Sequence, residues 1–172
     1  MKDFRKLYKD EIKVRVGNCS EKGVTLLLFK DSRVDQTILD ETVGPMNWQK
    51  SYKLIDGQLF CTISIWDSEK AMWISKEDVG TEGNMETQKS RASDAQKRAA
   101  VSWGIGRELY TAPRLFVSAD KLSNFRYVDG KWKCYDEFFV EQIIYAEDTR
   151  KILALAVKDR TSGKRVIQWD IR

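Results

Sequence analysis

Apolar and polar residues alternate with two different periods in the first part of the chain. The spacing of apolar residues over 2–10 predicts a short amphipathic helix. In IKVRV (12–16) apolar and basic residues alternate strictly, which predicts a half-buried strand, and the apolar run VTLLLF (24–29) predicts a more buried one. In SRVDQTILDETVG (32–44) the period becomes that of a helix, which its first serine can cap and its last glycine can end.

Three strands joined by short turns are predicted between 47 and 79. The first two are separated by an Asp-Gly dipeptide at 56–57, which is typical of a tight hairpin turn. A long helix is predicted over 87–110, before Pro113. Beyond it, alternating runs separated by Asp-Gly and Ser-Gly dipeptides predict further hairpins over 125–172.

The helix predicted over 87–110 has one face of mostly small residues. Such a face lets a helix lie close to a sheet, and this would explain two interior glycines, Gly104 and Gly106, each of which costs about 1 kcal/mol in a helix. The face comprises Ala92, Ala95, Ala99, Trp103, Gly106 and Tyr110. We therefore expect an α+β fold, in which an antiparallel β-meander packs on one long α-helix as a β-β-β-α core.

A length of 172 residues and a mass of 20.0 kDa predict one domain over 1–172, with a core over 12–110 and a C-terminal β-hairpin extension over 125–172. No apolar run approaches the roughly 20 residues that span a bilayer. The charged start has no apolar segment behind it, so we expect no secretory signal, a cytoplasmic protein and no membrane partner. The three separated cysteines predict reduced thiols.

Several kinds of chemistry are disfavoured by the residues that the chain lacks. It contains no histidine, which removes Ser-His and Cys-His catalysis and histidine-ligated metals. It has no phosphate-binding loop of the GxxxxGK[ST] type, and GIGREL (104–109) has only two glycines of a dinucleotide fingerprint. We therefore predict no catalytic residue, no cofactor and no metal.

Two weaker patterns leave alternatives open. Glu77, Asp78 and Glu82 could form the carboxylate cluster of a metal-dependent nuclease that acts on DNA ends, although acids at a strand end and in a loop are more often solvated. GTEG (80–83) has the form of a nucleic-acid-clamping loop, but a plain linker is the simpler interpretation. Four tryptophans could stack on bases, although core packing is the simpler role for Trp48, Trp66, Trp73 and Trp103.

Basic residues cluster on the exposed side of the long helix. Lys97 and Arg98 lie at its centre, with Lys89 and Arg91 one to two turns earlier. The net charge of +4 is modest, so only its concentration on one face would indicate a polyanionic partner. From the pattern alone, a solvated helix face and a nucleic-acid site are equally supported, and a non-enzymatic protein-interaction module stays open.

Two segments together resemble one known family. SRVDQTILDETVGPMNW (32–48) has a helix with an early arginine and a glycine turn before Asn-Trp, and EDVGTEGNMETQKSRASDAQKRAAVSWGIGREL (77–109) has Asp-Val-Gly before an alanine-rich helix with a central Lys-Arg. This combination is similar to the single-strand annealing proteins, both the phage Sak-type and the Rad-fifty-two-type proteins of recombination and DNA repair. The chain differs from the eukaryotic pattern in its shorter link before the helix and in lacking the long recombinase-recruiting tail.

The resemblance implies ATP-independent annealing of complementary DNA strands in homologous recombination and double-strand break repair, by a phage-type protein in a bacterial host. It implies a homo-oligomeric ring or helical arc that holds single-stranded DNA by its phosphates, and it allows a single-strand-binding protein or a recombinase as a further partner. Carried over by position, the DNA-binding residues are Arg33, Lys97 and Arg98, with Lys89 as a further basic neighbour.

Overall fold

The computed structural model describes residues 3–80 and 88–172, with side chains described from residue 90 onward in the second range. About half of the residues lie in strands and about a fifth in helices, so the fold is mostly β. The expected α+β class, with a meander packed on one long helix, is wrong. Both α-helices of the described residues are short, and a nearly closed barrel-like sheet accounts for much of the strand content.

The described residues form the following elements. The α-helices are α1 (Ser32–Val43) and α2 (Gln88–Ser102), and short 3-10 helices span Lys9–Glu11, Arg107–Thr111 and Ala119–Lys121. The strands are β1 (Ile12–Ser20), β2 (Gly23–Lys30), β3 (Trp48–Ile55), β4 (Gln58–Asp67), β5 (Met72–Val79), β6 (Leu115–Ser118), β7 (Phe125–Val128), β8 (Lys131–Cys134), β9 (Phe138–Tyr145), β10 (Ile152–Asp159) and β11 (Arg165–Asp170).

The helix expected over 87–110 ends at Ser102, because the glycines after it leave the helical conformation. Gly104 and Gly106 have φ values of 99° and 72°, in the left-handed region. The Ile105 N–H donates to the Ala100 carbonyl at 3.1 Å, and the Gly104 N–H donates to the Val101 carbonyl at 2.9 Å. These two bonds form the Schellman arrangement that terminates helices, so the glycines end α2 and are not part of a packing face within it.

One compact unit comprises described residues 3–6 and 30–107. It contains α1, α2 and an antiparallel sheet in the order β3-β4-β5, and the three strands expected over 47–79 are confirmed. Helix α1 also forms where it was predicted, but Asp31 caps it instead of Ser32, since its side chain accepts the Arg33 N–H. The core of this unit is apolar and fully buried; it includes Ile38, Leu39, Cys61, Ile63, Ile65, Ala95, Ala99 and Ala100.

The close approach expected of Gly106 is present, since a Cβ atom there would overlap the Lys30 side chain, and Gly80 makes a second close approach, to the backbone of α2. A Cβ atom at position 80 would lie 2.8 Å from the Arg91 carbonyl oxygen and 3.3 Å from the Ala95 nitrogen. The backbone of α2 therefore passes directly over the end of β5, and a side chain at position 80 would push the two apart.

The second unit comprises residues 7–29 and 108–172. Its six-stranded sheet has the order β11-β10-β9-β1-β2-β6, and the edge strands β6 and β11 also contact each other. Strands β7 and β8 form a separate two-stranded hairpin. The buried carboxylate of Glu108 accepts the Leu7 N–H at 2.6 Å and pairs with Arg150 at 3.0 Å.

The prediction of an N-terminal helix over 2–10 is wrong for the residues of this range that the structure describes. Residues 3–8 have no helical assignment, and a single 3-10 turn, Lys9–Glu11, follows them. The apolar spacing that suggested a helix still marks buried side chains, since Phe4 and Leu7 are in the core. Strand β1 also runs on to Ser20, beyond the segment 12–16 that was predicted for it. Within the described residues, no helix is long and apolar enough to cross a membrane.

Candidate nucleic-acid interface

Arg33 lies in the first turn of α1 and points into solvent. The Asp31 cap, which accepts the Arg33 N–H at 3.0 Å, fixes the backbone of this turn. The side chain of Arg33 is 84% exposed, and its Nε lies 4.0 Å from Asp31 Oδ1. An exposed pair at this distance contributes little, so the guanidinium can contact another anion at small cost.

Lys97 and Arg98 are adjacent in sequence but contact different neighbours. Lys97 Nζ lies 4.0 Å from Asp94 Oδ1, one turn earlier on the same helix. Arg98 Nε lies 3.3 Å from Asp78 Oδ1, near the end of β5. Both cations are partly exposed. The pair predicted as one basic cluster is therefore divided between the middle of α2 and its β5 side.

Gln96 connects the helix that carries Lys97 to the helix that carries Arg33. Its Nε2 donates to the Ser32 carbonyl at 2.8 Å, and its Oε1 accepts from Gln36 Nε2 at 3.3 Å. Ser93 also donates to the Ser32 hydroxyl at 3.2 Å. Because Ser32 and Gln96 directly precede Arg33 and Lys97, these bonds bring the two predicted DNA-binding positions to neighbouring places on α1 and α2. We call Arg33 and Lys97, together with Arg98 on the neighbouring β5 side of α2, the α1–α2 surface.

Two further lysines, which the sequence analysis did not single out, lie on the α2 side of the meander. Lys50 on β3 donates to Gln96 Oε1 at 2.7 Å. Lys76 on β5 donates to the Ser102 carbonyl at 3.0 Å and lies 4.6 Å from the centre of the Trp103 ring. Lys50 and Lys76 are each the cross-strand partner of the buried Ile63, and cross-strand partners lie on the same side of a sheet. Strand alternation alone could therefore have placed both lysines on the side that faces α2.

The C-terminal end of α2 is also surrounded by cations. Arg107 donates to the Val101 carbonyl at 3.0 Å and to the Ser102 carbonyl at 3.3 Å, where Lys76 also binds. Positive groups at this end complement the helix dipole. Lys76 and Arg107 thus bind backbone carbonyls at the end of α2, whereas the side chain of Arg33 is exposed to solvent.

A buried ion pair lies beneath the α1–α2 surface. Lys30 donates to Asp35, and both side chains are almost fully buried. Burial raises the pKa of Asp35 to about 6, against the attraction of Lys30 and, more weakly, of Lys97. Among the described residues, no group forms a hydrogen bond with the second oxygen of Asp35, Oδ2. The cost of burying this carboxylate is therefore only partly offset.

Of the acidic residues considered for a nuclease, the two that the structure describes, Glu77 and Asp78, do not converge. Glu77 faces the outer side of the meander, where it pairs with Lys53 at 2.6 Å and accepts from Thr62 at 3.2 Å. The Lys53 hydrogen bond holds the pKa of Glu77 below its usual value. Asp78 faces α2, on the other side of the sheet. Over the ranges 3–80 and 88–172, no three or more acidic, cysteine or histidine groups are arranged to hold a metal ion.

Some predicted positions lie outside the described residues. These are Glu82, the part of GTEG beyond Gly80, and the side chain of Lys89, whose backbone is in the first turn of α2.

The four tryptophans considered for base stacking have different environments. Trp103 is buried and donates to the Ile63 carbonyl at 3.1 Å, and Trp48 donates to Asp40 at 2.7 Å. Trp66 and Trp73 form an edge-to-face pair 5.5 Å apart on the outer side of the meander, each 38% exposed. The contacts of these rings are with Ile63, Asp40, Lys76 and each other, so they give no support to base stacking at the α1–α2 surface.

Comparison with known proteins identifies two similar proteins. The single-stranded DNA-binding protein DdrA of Deinococcus radiodurans is 34% identical over 105 residues, which are 60% of this chain and 49% of the relative. The protein of the same name from Deinococcus deserti is 37% identical over 95 residues, 54% of this chain and 46% of the relative. The chain thus spans about half the length of the curated relatives it matches. No family model and no solved structure matches it.

Proposed function

We propose that this protein binds single-stranded DNA through the α1–α2 surface and anneals complementary strands without ATP, in recombinational DNA repair. The observation that carries the proposal is the hydrogen bond from Gln96 to the Ser32 carbonyl, because it joins the two segments whose cations were predicted to bind DNA. Lys89 is proposed as a further contact from its sequence position alone. The role is non-enzymatic, since annealing makes and breaks no covalent bond.

The names of the two similar proteins support the choice of ligand. Both are called single-stranded DNA-binding proteins, and each aligns with more than half of this chain. The same ligand was predicted from the sequence resemblance, which rests on segments 32–48 and 77–109. Both sequence similarities therefore favour single-stranded DNA over an unspecified protein partner.

The charge distribution suits a binder that ignores base sequence. Lysine and arginine contact phosphates of any sequence and release counterions, so the affinity falls steeply with salt. Three cations in one subunit form a weak site, but repetition around a homo-oligomeric ring or arc makes binding multivalent. We include this oligomer in the proposal, together with a phage-type role in a bacterial host and cooperation with a single-strand-binding protein or a recombinase.

An annealing assay tests the proposal directly. Two complementary labelled oligonucleotides are mixed, without ATP or metal, with the wild-type protein, with Lys97→Ala/Arg98→Ala, and with the control Lys53→Ala/Lys70→Ala. The control removes two exposed lysines of the same unit, which pair with Glu77 and Asp67. We expect wild type and control to accelerate annealing in a salt-sensitive manner and the Lys97/Arg98 variant to lose most of the acceleration.

Different failures have different meanings. If the folded wild-type protein binds DNA without accelerating annealing, the annealing role is wrong and DNA binding stands. If the control variant loses as much activity as Lys97→Ala/Arg98→Ala, the α1–α2 surface is not the site. Loss of the oligonucleotides on addition of Mg²⁺ would instead indicate the nuclease alternative.

A further inference from the structure

The hairpin formed by β7 and β8 has an aromatic face. Phe125 pairs with Cys134 across the two strands and Tyr127 pairs with Trp132, so these four side chains share one side. Phe125 and Trp132 stack with ring centres 4.9 Å apart, and Tyr127 contacts Trp132 edge to face at 5.4 Å. A two-stranded hairpin is marginally stable alone, and this aromatic cluster stabilises it.

The opposite face of the same hairpin is basic. Arg126 pairs with Lys133 and Val128 pairs with Lys131, which places three cations together on this side. The one acid in the sequence 125–134 is Asp129, at the turn, where it is 83% exposed and lies 3.2 Å from Lys133 Nζ. The hairpin therefore has a net charge of +2, concentrated on one of its two faces.

The acids that follow the hairpin do not neutralise this face. Asp136 is buried, and its Oδ2 accepts the Ser123 N–H at 2.8 Å. Glu137 lies 3.7 Å from Arg160. Neither contact involves a hairpin cation. Arg126 donates to the neutral Asn124 Oδ1 at 2.6 Å and Lys133 pairs with the exposed Asp129, so an external anion can still bind to this face.

An exposed ring lies beside these cations. Tyr135, directly after β8, is 50% exposed, and the Arg126 guanidinium lies 5.2 Å from the centre of its ring. Tyr127 lies on the opposite, aromatic face of the hairpin and is 61% exposed. Cations next to accessible aromatic rings are the combination that binds single-stranded nucleic acids, since the cations contact phosphates and the rings stack on bases. The bases of a duplex are already stacked on one another, so accessible rings beside the cations favour a single strand over a duplex.

We propose that the β7–β8 hairpin is a further binding element for single-stranded DNA, with Arg126, Lys131 and Lys133 contacting phosphates and Tyr135 stacking on a base. The proposal rests on the proposed function only in taking single-stranded DNA as the ligand. It concerns a separate set of residues, in the unit that does not contain the α1–α2 surface.

The test compares two triple variants with the same change of charge. The hairpin variant is Arg126→Gln/Lys131→Gln/Lys133→Gln, and the control is Lys22→Gln/Lys121→Gln/Lys164→Gln, which removes three exposed lysines elsewhere in the same unit. Affinity for a labelled oligothymidine is measured by fluorescence anisotropy at several salt concentrations, with annealing as a second readout. Thermal melting verifies that both variants are folded.

We expect the hairpin variant to lose about tenfold or more in affinity. The slope of log K against log salt is negative, and it should become less steep by about 2, since each of three single-strand phosphate contacts contributes about 0.7. The control should bind like wild type. Tyr135→Leu should weaken binding at high salt, where stacking persists and phosphate contacts are screened.

The proposal is overturned if the hairpin variant binds like wild type or if the control loses as much affinity, because the effect would then follow net charge. An equal loss of binding to oligothymidine, to duplex DNA and to anionic lipid vesicles would also exclude a single-strand site. If the wild type binds and the hairpin variant does not, but neither anneals, the hairpin proposal stands and the annealing function fails. If the wild type does not bind the oligonucleotide, both proposals are wrong.

Discussion

The Arg98 guanidinium lies 3.3 Å from the Asp78 carboxylate, so a cation predicted to bind phosphate is paired with an acid considered for catalysis. Both side chains are about one-third exposed, at 38% and 30%. An ion pair at this exposure is worth at most about 1 kcal/mol, so a phosphate can displace the carboxylate. Asp78 therefore opposes anion binding at Arg98 by competing for the same guanidinium.

We predict that Asp78→Asn increases the affinity for single-stranded DNA at low salt. The substitution removes a negative charge beside Arg98, and the asparagine oxygen can still accept the Val79 N–H that Asp78 accepts at 2.7 Å. The gain should be about threefold and should shrink at high salt, because screening weakens exposed charges. Anisotropy titrations measure it. A nuclease would instead lose cleavage without gaining affinity.

Single substitutions on the α1–α2 surface should reduce both affinity and salt dependence. Arg33→Ala and Lys97→Ala should each decrease the slope of log K against log salt by about 0.7, the value for one single-strand phosphate contact. Lys53→Ala is the matched control, because Lys53 lies on the outer face of the meander and pairs with Glu77. Unchanged slopes for both Arg33→Ala and Lys97→Ala would remove these residues from the site.

Gly80→Ala should destabilise the fold where α2 passes over β5. The added Cβ would lie 2.8 Å from the Arg91 carbonyl oxygen, so the helix backbone must shift. Overpacking of this kind typically costs about 1–3 kcal/mol. Urea denaturation measures the loss, and an unchanged midpoint would mean that α2 adjusts without cost.

Local periodicity predicted the elements whose partners are close in sequence. Helix α1 and the strands β3, β4 and β5 form where apolar spacing and the Asp-Gly turn placed them. The six-stranded sheet was not predicted, because β1 pairs with β9 through Lys13 and Phe139, more than a hundred residues apart. Alternation shows that a strand is half-buried but does not identify its partner.

The end of α2 shows a second limit of sequence patterns. On a helical wheel, Gly106 continues the stripe of Ala95, Ala99 and Trp103, so the glycines were interpreted as packing residues. Gly104 and Gly106 have positive φ and end the helix, and Gly106 also lies directly against the Lys30 side chain. The wheel therefore indicated a close approach at Gly106 but not the end of the helix. Consequently Tyr110, expected on the packing stripe, is 70% exposed.

The candidate site was predicted in part. Lys97 and Arg98 are adjacent in sequence, but only the structure shows that Arg98 is directed to Asp78. Lys50 and Lys76 were missed because a single lysine among apolar strand residues is ordinary on a half-buried sheet. Their shared register with Ile63 was implied by the predicted meander and would have identified them.

Asp35 should make stability depend on pH in an unusual direction. Burial raises its pKa to about 6 in the folded protein, so the folded state binds the proton more tightly than the unfolded state. The contribution of Asp35 to stability is therefore largest below about pH 4 and is lost as the pH rises to about 6. Urea unfolding gives the free energy of unfolding of wild type and of Asp35→Asn at each pH between 4 and 7. The effect is measured as a change with pH in the difference between these two free energies.

The control for this experiment is Asp129→Asn, at an exposed position. The stability of wild type relative to Asp35→Asn should decrease with rising pH, whereas the difference from Asp129→Asn should show no such decrease over the same range. A difference from Asp35→Asn that is constant, or that increases with pH, would show that Lys30 keeps Asp35 ionised in the folded protein.

Gln96→Leu should reduce both the stability of the fold and the affinity for single-stranded DNA. Gln96 is 2% exposed, and its amide serves the Ser32 carbonyl at 2.8 Å and the Lys50 ammonium at 2.7 Å. Leucine fills a similar volume but leaves these groups without that partner, which costs about 1–3 kcal/mol for each buried polar group left unsatisfied. Because Gln96 is buried, we expect a loss of DNA affinity to come from altered positions of the cations around it, namely Arg33, Lys97 and Lys50.

The measurement pairs urea denaturation with anisotropy titrations, and Gln49→Leu is the control, since Gln49 is exposed on the outer face of β3. We expect Gln96→Leu to reduce both stability and affinity while the control changes neither. Reduced stability with unchanged affinity, measured where the variant is fully folded, would mean that the hydrogen bonds between α1 and α2 hold the fold but do not set the spacing of the DNA-binding cations.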